Sequence, residues 1–404
     1  MTPTPVRYDP EAVAPVEELF RTYARLRDDD PVHVNPDSGA VALSRFADVH
    51  GALADTARFS SIFLRRTPHP ILAQLDPPRH TAMRKVILRA FTPSRVTAME
   101  EGVRTLAEEL VDGLVARGEV DLARDYAAVL PSTVMGRMLG VPEHLIPHCR
   151  EISDLHMRRV THADALVPIR MSDELFGPLL DERRGDARDD LLSALVHAEV
   201  EGERLTEDDL LGFCYTLLIG GNDTTTNWIG NGLGVLLRRP DLRDALTTGL
   251  AAGGAPVESF MEVESFMEEV LRVESPTQVL FRRTTVAVAL HGTTIPAETR
   301  VLLVLGAANR DPREFDEPDD IRPERATTRP VARHVALGQG IHFCLGAALA
   351  RLEARVAMEV LLSRAPRLAA AAEPERIRSS WALGWERLPA SLGPVGLGPV
   401  SPGA

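Results

Sequence analysis

A glycine-rich loop around one cysteine is the part of the chain best suited to chemistry. Ala336–Gly346 reads ALGQGIHFCLG, in which Gly338 and Gly340 permit tight backbone turns beside a bulky group. Cys344 then lies at the start of a predicted helix that contains Ala347–Leu361. The N–H groups and the dipole of a helix N-terminus favour a thiolate over a thiol. A thiolate surrounded by backbone donors is suited to be an axial iron ligand.

Two other interpretations of this loop are open. A free cysteine is more often buried and inert, and this is the interpretation we adopt for Cys149 and Cys214, which lack such surroundings. A dinucleotide-binding loop would need the pattern G-x-G-x-x-G, but Phe343 stands where its third glycine belongs. The loop is therefore a candidate iron site rather than a phosphate site.

A second candidate site lies in the middle of the longest predicted helix, Thr206–Leu237. Gly220 and Gly221 are followed there by Asn-Asp-Thr-Thr, and each glycine disfavours a helix by up to about 1 kcal/mol relative to alanine. A sequence that weakens its own central helix commonly does so for a functional site. The hydroxyl of Thr224 and the carboxylate of Asp223 are groups that hold and transfer protons. The alternative is a loosely packed helix without a functional role.

Two charged pairs have helical spacing. His80 and Arg84, four residues apart, point the same way on a predicted helix and can bind one carboxylate. Glu269 and Arg272, three residues apart, lie on one helix face, where they can form a bidentate pair with a third partner. Taken alone, each pair is more often a solvated surface pair of little energetic value.

These residues fall on a chain that is predicted to be mostly helical, with short strands after residue 277. Apolar residues at helical spacing predict helices at Val16–Arg27, His80–Phe91, Arg95–Arg117, Tyr126–Leu139, Pro168–Arg184, Thr206–Leu237, Val257–Val273 and from Cys344 to about Ser363. Short strands are predicted at Pro31–Val34, Ala40–Leu43, Gln278–Ala289, His291–Gly292 and Val301–Leu305. Asn309–Arg325 is predicted to be a loop. No linker composition divides the chain, so residues 1–404 are expected to form one domain.

The hexapeptide VESFME occurs twice in tandem, as Val257–Glu262 and Val263–Glu268. Six residues advance a helix by about 600°, so the two copies face different sides, and only one keeps the register of the helix that follows. We expect a tolerated insertion rather than a binding repeat, since the repeats of solenoid proteins are longer and more numerous.

The composition is that of a globular protein, with 44% hydrophobic and 25% charged residues. Acidic residues outnumber basic ones, 58 to 45, and the net charge of −13 argues against non-specific binding to nucleic acid or anionic lipid. Lys85 is the only lysine. Three scattered cysteines disfavour a disulfide framework. The N-terminus lacks a signal-peptide pattern, and Leu210–Gly221, the most apolar helical stretch, is shorter than the roughly 20 residues of a membrane span. A cytoplasmic protein that binds neither nucleic acid nor membrane is expected.

The cysteine loop resembles the haem-binding signature of the cytochrome P450 superfamily, in particular of its soluble bacterial branch. The matching residues are Gly338, Gly340, His342, Cys344 and Gly346. Members of the family usually have phenylalanine where this chain has Leu337. An aromatic ring beside the sulfur is therefore missing, which bears on the tuning of the redox potential and not on iron ligation.

Two further blocks match the family in order and spacing. Glu269–Arg272 resembles its E-x-x-R pair, whose third partner would be Arg325 at the end of the predicted loop. The stretch that begins at Gly220 resembles the motif at which the central helix of the family opens slightly over the haem. The resemblance implies that Thr224 holds water or bound oxygen and that Asp223 transfers protons.

The remaining matches are cations for the two haem propionates. His80 and Arg84 resemble the propionate-binding helix of the family, and Arg282 and His334 match further propionate contacts by their spacing from neighbouring motifs. Strand alternation lets only one of Arg282 and Arg283 face the haem, and Arg282 is the expected one.

The resemblance implies a mainly α fold with minor β-sheets, the triangular prism of the cytochrome P450s, with haem b between the helices of Thr224 and Cys344. It implies a monomeric haem-thiolate monooxygenase that oxidises a small apolar molecule, such as a natural-product intermediate. Two electrons would come from a ferredoxin and its ferredoxin reductase, since the chain shows no flavin or iron–sulfur signature. Arginines near Arg351 and Arg355 would suit such an acidic partner.

Two alternative functions are kept. One is a coupling or peroxide-driven oxidase of the same family, and the other is a haem sensor without turnover, which would consume no reducing equivalents. The sequence does not predict the substrate. The expected pocket segments are Phe59–Gln74, Thr161–Pro168, Thr277–Leu280 and the turn between Trp381 and Trp385.

Overall fold

Helices make up most of the computed structural model, which describes residues 6–9, 12–63, 68–157, 166–200, 202–251, 256–325 and 334–393. The helices in these ranges are α1 (Val16–Asp29), α2 (Phe46–Ala54), α3 (Arg79–Leu88), α4 (Pro93–Arg117), α5 (Val129–Leu139), α6 (Ile146–Met157), α7 (Leu166–Gly185), α8 (Leu191–Val196), α9 (Glu207–Arg238), α10 (Pro240–Ala251), α11 (Pro256–Val273), α12 (Leu305–Ala308) and α13 (Ala347–Arg364). The strands are β1 (Val32–Val34), β2 (Val41–Leu43), β3 (Phe59–Ser60), β4 (Glu119–Asp121), β5 (Glu199–Val200), β6 (Glu203–Arg204), β7 (Val279–Thr284), β8 (Val288–Leu290), β9 (Thr293–Ile295), β10 (Arg300–Val304), β11 (Ala369–Ala370), β12 (Glu375–Arg376), β13 (Trp385–Arg387) and β14 (Pro389–Ser391). None of the described helices is both long and apolar enough to cross a membrane.

The largest sheet has five strands in the order β1-β2-β10-β7-β3. β1 and β2 form the antiparallel hairpin predicted from the sequence, with Val32 opposite Leu43. β10 runs parallel to β2 and antiparallel to β7, whose other edge pairs with β3. This sheet packs with α2 and α12 around a hydrophobic cluster of its own, beside the larger helical core. It places β7, and with it Arg282, next to the cysteine loop.

The central helix, α9, is continuous through its two glycines. It begins with a capping box, in which Thr206 Oγ1 accepts from the Asp209 N–H at 3.2 Å and the Asp209 carboxylate accepts from the Thr206 N–H at 3.3 Å. Gly221 lets α5 approach closely, because a Cβ there would lie 2.0 Å from the Met135 methyl. Packing between α5 and α9 therefore outweighs the low helix propensity of Gly220 and Gly221.

The carboxylate–guanidinium pair of α11 joins that helix to the loop after α12. Arg272 donates from Nε and Nη2 to the Glu269 carboxylate, both at 2.9 Å. Its other N–H groups reach the backbone carbonyls of Asn309, Pro318 and Asp320 at 2.7–2.9 Å. Arg325 Nε donates to Glu269 at 3.2 Å, as the sequence pattern predicts. Both partners of the pair are fully buried.

The tandem hexapeptide lies in α11. In its second copy Val263, Phe266 and Met267 are buried in the main core, so this copy keeps the register of the helix that ends with Arg272. The side chains of the first copy lie outside the described residues.

The hairpin β8–β9 corrects the sequence prediction. His291 and Gly292 were expected in a strand, but they form its two-residue turn. Both have positive φ, 49° and 80°, which is the backbone geometry that short hairpin turns require. The sequence also did not predict α2, α6 or α10. Only Leu246 of α10 is buried, so the apolar periodicity of that helix is weak.

Candidate active site

A cavity of about 330 Å³ lies between α9 and the loop that precedes α13. Gly220 and Thr224 of α9 line one wall, and Gly338 and Cys344 line the wall opposite. Residues of α3, α5 and β7 complete it. The two stretches that the sequence singled out for chemistry therefore face one enclosed space.

Glycines and a backbone hydrogen bond set the position of Cys344. Gly338 and Gly340 have φ of 73° and 68°, a region that favours glycine. A Cβ on Gly340 would lie only 3.3 Å from the Cα of Ala54 in α2. The N–H of Cys344 donates to the carbonyl of Leu337 at 2.8 Å. The loop is thereby held against α2 with the cysteine side chain in the cavity.

The electrostatics of the sulfur are mixed. Burial raises the pKa of the Cys344 thiol, while the N–H of Gly346 and the guanidinium groups of Arg84 and Arg351 act in the opposite direction. The helix N-terminus alone thus does not produce the thiolate that the sequence predicts. A metal cation binds the deprotonated sulfur and supplies the missing positive charge.

Four basic side chains line the cavity beside this loop: His80, Arg84, Arg282 and His342. The rings of His80 and His342 lie 4.2 Å apart. Among the described residues, neither ring nitrogen of His80 nor Nε of Arg282 has a hydrogen-bond partner. Burial and neighbouring positive charges lower the pKa of His342 to about 3, and burial lowers the pKa of Arg282 to about 10. The negative charge of Asp76 acts on both His80 and Arg282, but it does not hydrogen-bond to these buried nitrogens. Buried donors that lack a hydrogen-bond partner among the described residues indicate that an anion binds among them.

This donor set fits haem. The two propionates of haem are carboxylates that would occupy the unpartnered donors, and Cys344 offers sulfur to its iron. Arg84 Nη2 also donates to the carbonyl of Phe343 at 2.6 Å, which joins α3 to the cysteine loop. His342 Nε2 lies 2.9 Å from Ser61 Oγ, which orients the imidazole. Apolar side chains such as Leu337 and Leu349 also line the cavity, as the apolar part of haem requires.

The structure pairs His334 with a carboxylate of α11. Its Nε2 lies 2.9 Å from the Glu268 carboxylate, its Nδ1 accepts from the Ala336 N–H at 3.3 Å, and it does not line the cavity. Arg351 donates to the same carboxylate at 2.6 and 3.0 Å. Burial raises the pKa of Glu268, but His334 and Arg351 lower it to about 2. Both ring nitrogens of His334 are thus engaged within the protein, and its contact with a propionate stays a prediction.

The basic surface expected at Arg351 and Arg355 is corrected. The Arg355 side chain is only 10% exposed and pairs with Glu100 at 2.8 Å and with Glu264 and Glu359 at 3.3 Å. The Arg351 guanidinium is engaged by Glu268. The sequence placed both arginines on one helix but did not reveal the carboxylates from other elements that neutralise them.

Exposed cations lie instead on α3 and at the start of α4. Lys85, Arg89 and Arg95 are exposed, and within the described ranges no carboxylate pairs with them. Leu88 of α3 and Phe343 of the cysteine loop leave 44% and 39% of their surface exposed. We refer to these five residues as the α3 patch.

Thr224 and Gly220 form the wall opposite the cysteine. Thr224 Oγ1 donates its hydrogen to the Gly220 carbonyl at 2.9 Å. The hydroxyl oxygen can therefore act only as a hydrogen-bond acceptor towards the cavity. A Cβ on Gly220 would meet no atom within 4 Å, which shows that this position borders open space. The helix does not open here, because its backbone hydrogen bonding continues from Glu207 to Arg238.

Asp223 is buried and does not line the cavity. Burial and the negative charge of Asp154 raise the pKa of Asp223 well above its usual value, while the hydroxyl of Ser153 lowers it. The protonated carboxyl is therefore favoured. Thr224 and Asp223 are adjacent in sequence but lie on different sides of α9, one at the cavity and the other towards α6.

Some lining residues were missed by sequence reasoning. Glu353 of α13 faces the cavity with its Oε2 unpartnered among the described residues, and burial raises its pKa to about 8. A glutamate between Leu352 and Ala354 on an apolar helix face is a signal that would have found it. Met135 and Trp228 also line the cavity. Sequence patterns do not distinguish apolar side chains at a cavity from those in the core.

The expected pocket segments are confirmed in part. The segments contribute the lining residues Leu72, Ala73, Thr277 and Leu280. Residues 64–67 and 161–165 lie outside the described residues. The turn between Trp381 and Trp385 does not line the cavity. It packs on α9 instead, where a Cβ on Gly234 would lie 2.5 Å from Trp385 Nε1.

Comparisons with known proteins agree with this geometry. The family model described as "Cytochrome P450" matches residues 143–366. Cytochrome P450 monooxygenase PikC of Streptomyces venezuelae is 37% identical over 373 residues, covering 88% of this chain and 86% of that protein. Vitamin D(3) 25-hydroxylase of Pseudonocardia autotrophica is 36% identical over 390 residues, covering 92% and 93%. The crystal structure of CYP109E1 from Bacillus megaterium in complex with testosterone aligns with a TM-score of 0.85 at 29% identity, over 94% of this chain and 100% of that one.

Proposed function

The chain belongs to the cytochrome P450 family and is a monooxygenase of the bacterial type, and from this premise we propose that it oxidises a neutral, largely apolar small molecule. The proposal includes haem b as the cofactor and a ferredoxin with its reductase as the electron source. The observation that supports it most is the cavity with Cys344 on one wall and Thr224 on the other.

Binding of the cofactor is assigned to five side chains. Cys344 would hold the iron, and His80, Arg84, Arg282 and His342 would bind the two propionates. The bound haem supplies a redox-active iron at which dioxygen is reduced. The protein supplies the sulfur ligand and the cations, since carboxylates in a buried site need opposite charges and hydrogen bonds.

Proton delivery is assigned to Thr224, Asp223 and the space beside Gly220. Thr224 can hold a water molecule as a hydrogen-bond acceptor, because its own hydrogen is donated to the Gly220 carbonyl. Gly220 leaves room for that water. The buried carboxyl of Asp223, which favours its protonated form, supplies protons from the α6 side of the helix.

The lining favours a neutral substrate. Leu72, Met135, Leu217 and Leu280 provide an apolar wall on the side of α9. The hydroxyl of Thr216 is engaged, since it donates to the carbonyl of the fourth residue before it at 2.7 Å. Glu353 is the one acidic side chain among the described lining residues, and it lies on the cysteine side. A cationic substrate would find no counter-charge near Thr224, whereas a polycyclic natural product would be accommodated.

Two comparisons agree with such a substrate. The name of one relative states that it hydroxylates vitamin D(3), and one structural neighbour holds testosterone. Both molecules are neutral, polycyclic and mostly apolar. Neutral polycycles are therefore the first compounds to screen by the spectral shift that binding produces.

An acidic electron donor fits the α3 patch. Its cations lie on α3 and α4 with the exposed Leu88, and Arg84 of α3 donates to the carbonyl of the exposed Phe343 in the cysteine loop. The net charge of −13 repels an acidic protein from most of the remaining surface. Charge complementarity of this kind increases association rates and fixes orientation.

Turnover with isotopically labelled dioxygen tests the proposal. Purified protein, a ferredoxin, its reductase and a substrate from the screen should give a product with one labelled oxygen atom for every two electrons consumed. Equal turnover with peroxide alone, or a coupled product without labelled oxygen, would favour the coupling or peroxide-driven oxidase. A spectral response to ligands without consumption of reducing equivalents would favour the sensor.

A further inference from the structure

Two buried side chains, one on α6 and one on α9, each carry an oxygen atom without a hydrogen-bond partner among the described residues. Ser153 of α6 is fully buried, and within the described residues its Oγ has no partner. Asp223 of α9 is 5% exposed, and its Oδ2 is likewise unpartnered. Native structures pair almost all such atoms. The two groups lie close enough that the Ser153 hydroxyl lowers the pKa of Asp223.

The residues that follow Ser153 and Asp223 in the sequence show which of the two is nearer to solvent and which is nearer to the cavity. Asp154, the residue after Ser153, is exposed on the outer side of α6. Thr224, the residue after Asp223, lines the cavity. The sequence of groups from solvent to cavity is therefore a surface carboxylate, a buried hydroxyl, a buried carboxyl and a second hydroxyl.

No cation takes the place of the hydroxyl. Within the described ranges, no arginine or lysine forms an ion pair with Asp223. Its pKa is shifted by its burial, by the charge of Asp154 and by the hydroxyl of Ser153. A carboxyl held by a salt bridge would stay ionised. The Asp223 carboxyl instead favours its protonated form, and the Ser153 hydroxyl is the neighbouring group with which it can exchange that proton.

We propose that Ser153 is the positioning residue through which the Asp223 carboxyl exchanges protons with the solvent side of α6. This inference rests on the proton-delivery role of Asp223 in the proposed function. After Asp223 has given its proton towards Thr224, the Ser153 Oγ–H bond breaks and an O–H bond forms on the Asp223 carboxylate. In the same concerted step the Ser153 oxygen accepts a proton from a water molecule beside Asp154, so that no alkoxide forms, and a proton from bulk solvent neutralises the hydroxide that this leaves. No charge remains on Ser153.

Ser153→Ala tests the proposal, with Ser172→Ala as a matched control. Ser172 of α7 is also fully buried with an unpartnered Oγ, but it does not affect Asp223. In Ser153→Ala we expect an unchanged carbon monoxide spectrum, a several-fold fall in product per electron, more peroxide, and a larger solvent deuterium isotope effect on turnover. Ser172→Ala should match the wild type in all four.

Infrared spectroscopy of the resting protein gives a readout that does not depend on turnover. The carbonyl stretch of protonated Asp223 is identified as the band that Asp223→Asn removes. It should move to higher frequency in Ser153→Ala, because the carboxyl loses the polar O–H group that lies beside it. A band and an isotope effect that are the same in Ser153→Ala and Ser172→Ala would overturn the proposal.

The test separates this inference from the function on which it rests. If Asp223→Asn reduces turnover and Ser153→Ala does not, Ser153 has no part in proton exchange, while the role of Asp223 stands. If Asp223→Asn couples electrons to product as well as the wild type, the proton-delivery role of Asp223 itself is wrong.

Discussion

At the scale of single residues, the three cysteines differ in what surrounds them. Cys149 and Cys214 are completely buried in the helical core, and burial raises the pKa of the Cys149 thiol to about 12. Cys344 alone faces the cavity, with the N–H of Gly346 directed at its sulfur. A hydrogen-bond donor directed at sulfur tunes the electron density of a metal ligand, whereas an inert thiol has no need of one.

Cys344→Ser should abolish the red-shifted absorption of the reduced carbon monoxide complex, because a serine oxygen cannot replace the thiolate ligand. Cys149→Ser and Cys214→Ser should keep that absorption, since neither residue lines the cavity. The measurement is the difference spectrum of the three purified variants. An unchanged spectrum in Cys344→Ser would end the assignment of the iron ligand.

Thr224→Ala should lower the amount of product formed per electron without changing the binding of haem. The variant loses the acceptor that holds water beside Gly220, so reduced oxygen leaves as peroxide or superoxide. We expect the same carbon monoxide spectrum, continued consumption of reducing equivalents, less product per electron and more peroxide. Asp223→Asn should mainly slow turnover, because an amide does not transfer a proton. Full coupling in Thr224→Ala would mean that protons arrive by another route.

At the scale of elements, one buried ion pair joins α11 to the long loop before the cysteine. Glu269→Ala leaves Arg272 buried without its carboxylate, which costs about 3–5 kcal/mol. That is a large part of the roughly 5–15 kcal/mol by which domains are stable. We expect little folded, haem-loaded protein, measured as haem content per polypeptide and as denaturant midpoint. The control is Asp112→Ala, which breaks an exposed pair with Arg364 and should leave both values unchanged.

Elements with strong local patterns could be predicted from the sequence, and contacts between elements could not. α9 and α11 were predicted almost to the residue, because long apolar periodicity lies within each segment and α9 also begins with a capping box. The contact of His334 with Glu268 could not be predicted, because the two residues lie 66 positions apart. Ser153 was not noticed at all, since nothing near it in the sequence shows that Asp223 faces it.

At the scale of the whole molecule, an acidic chain presents a small basic area next to its cysteine loop. Arg89→Glu in the α3 patch should slow reduction by an acidic ferredoxin several-fold at low salt, with the difference shrinking as salt rises. Reduction by dithionite should be unaffected. The control is Arg367→Glu, an equal charge change at an exposed position beyond the far end of α13. Equal slowing by both variants would place the docking surface elsewhere.

Lys85 gives this same area a property that the rest of the surface lacks. It is the only lysine of the chain, and it is exposed on α3. Reagents that acylate amines therefore find one side chain besides the N-terminal α-amino group, since arginine does not react with them. A fluorophore or a surface linker attached in this way sits beside the cysteine loop at a known place. Once the α-amino group has been blocked, which its lower pKa allows, the enzyme can be immobilised on an electrode through this one lysine without introducing a cysteine.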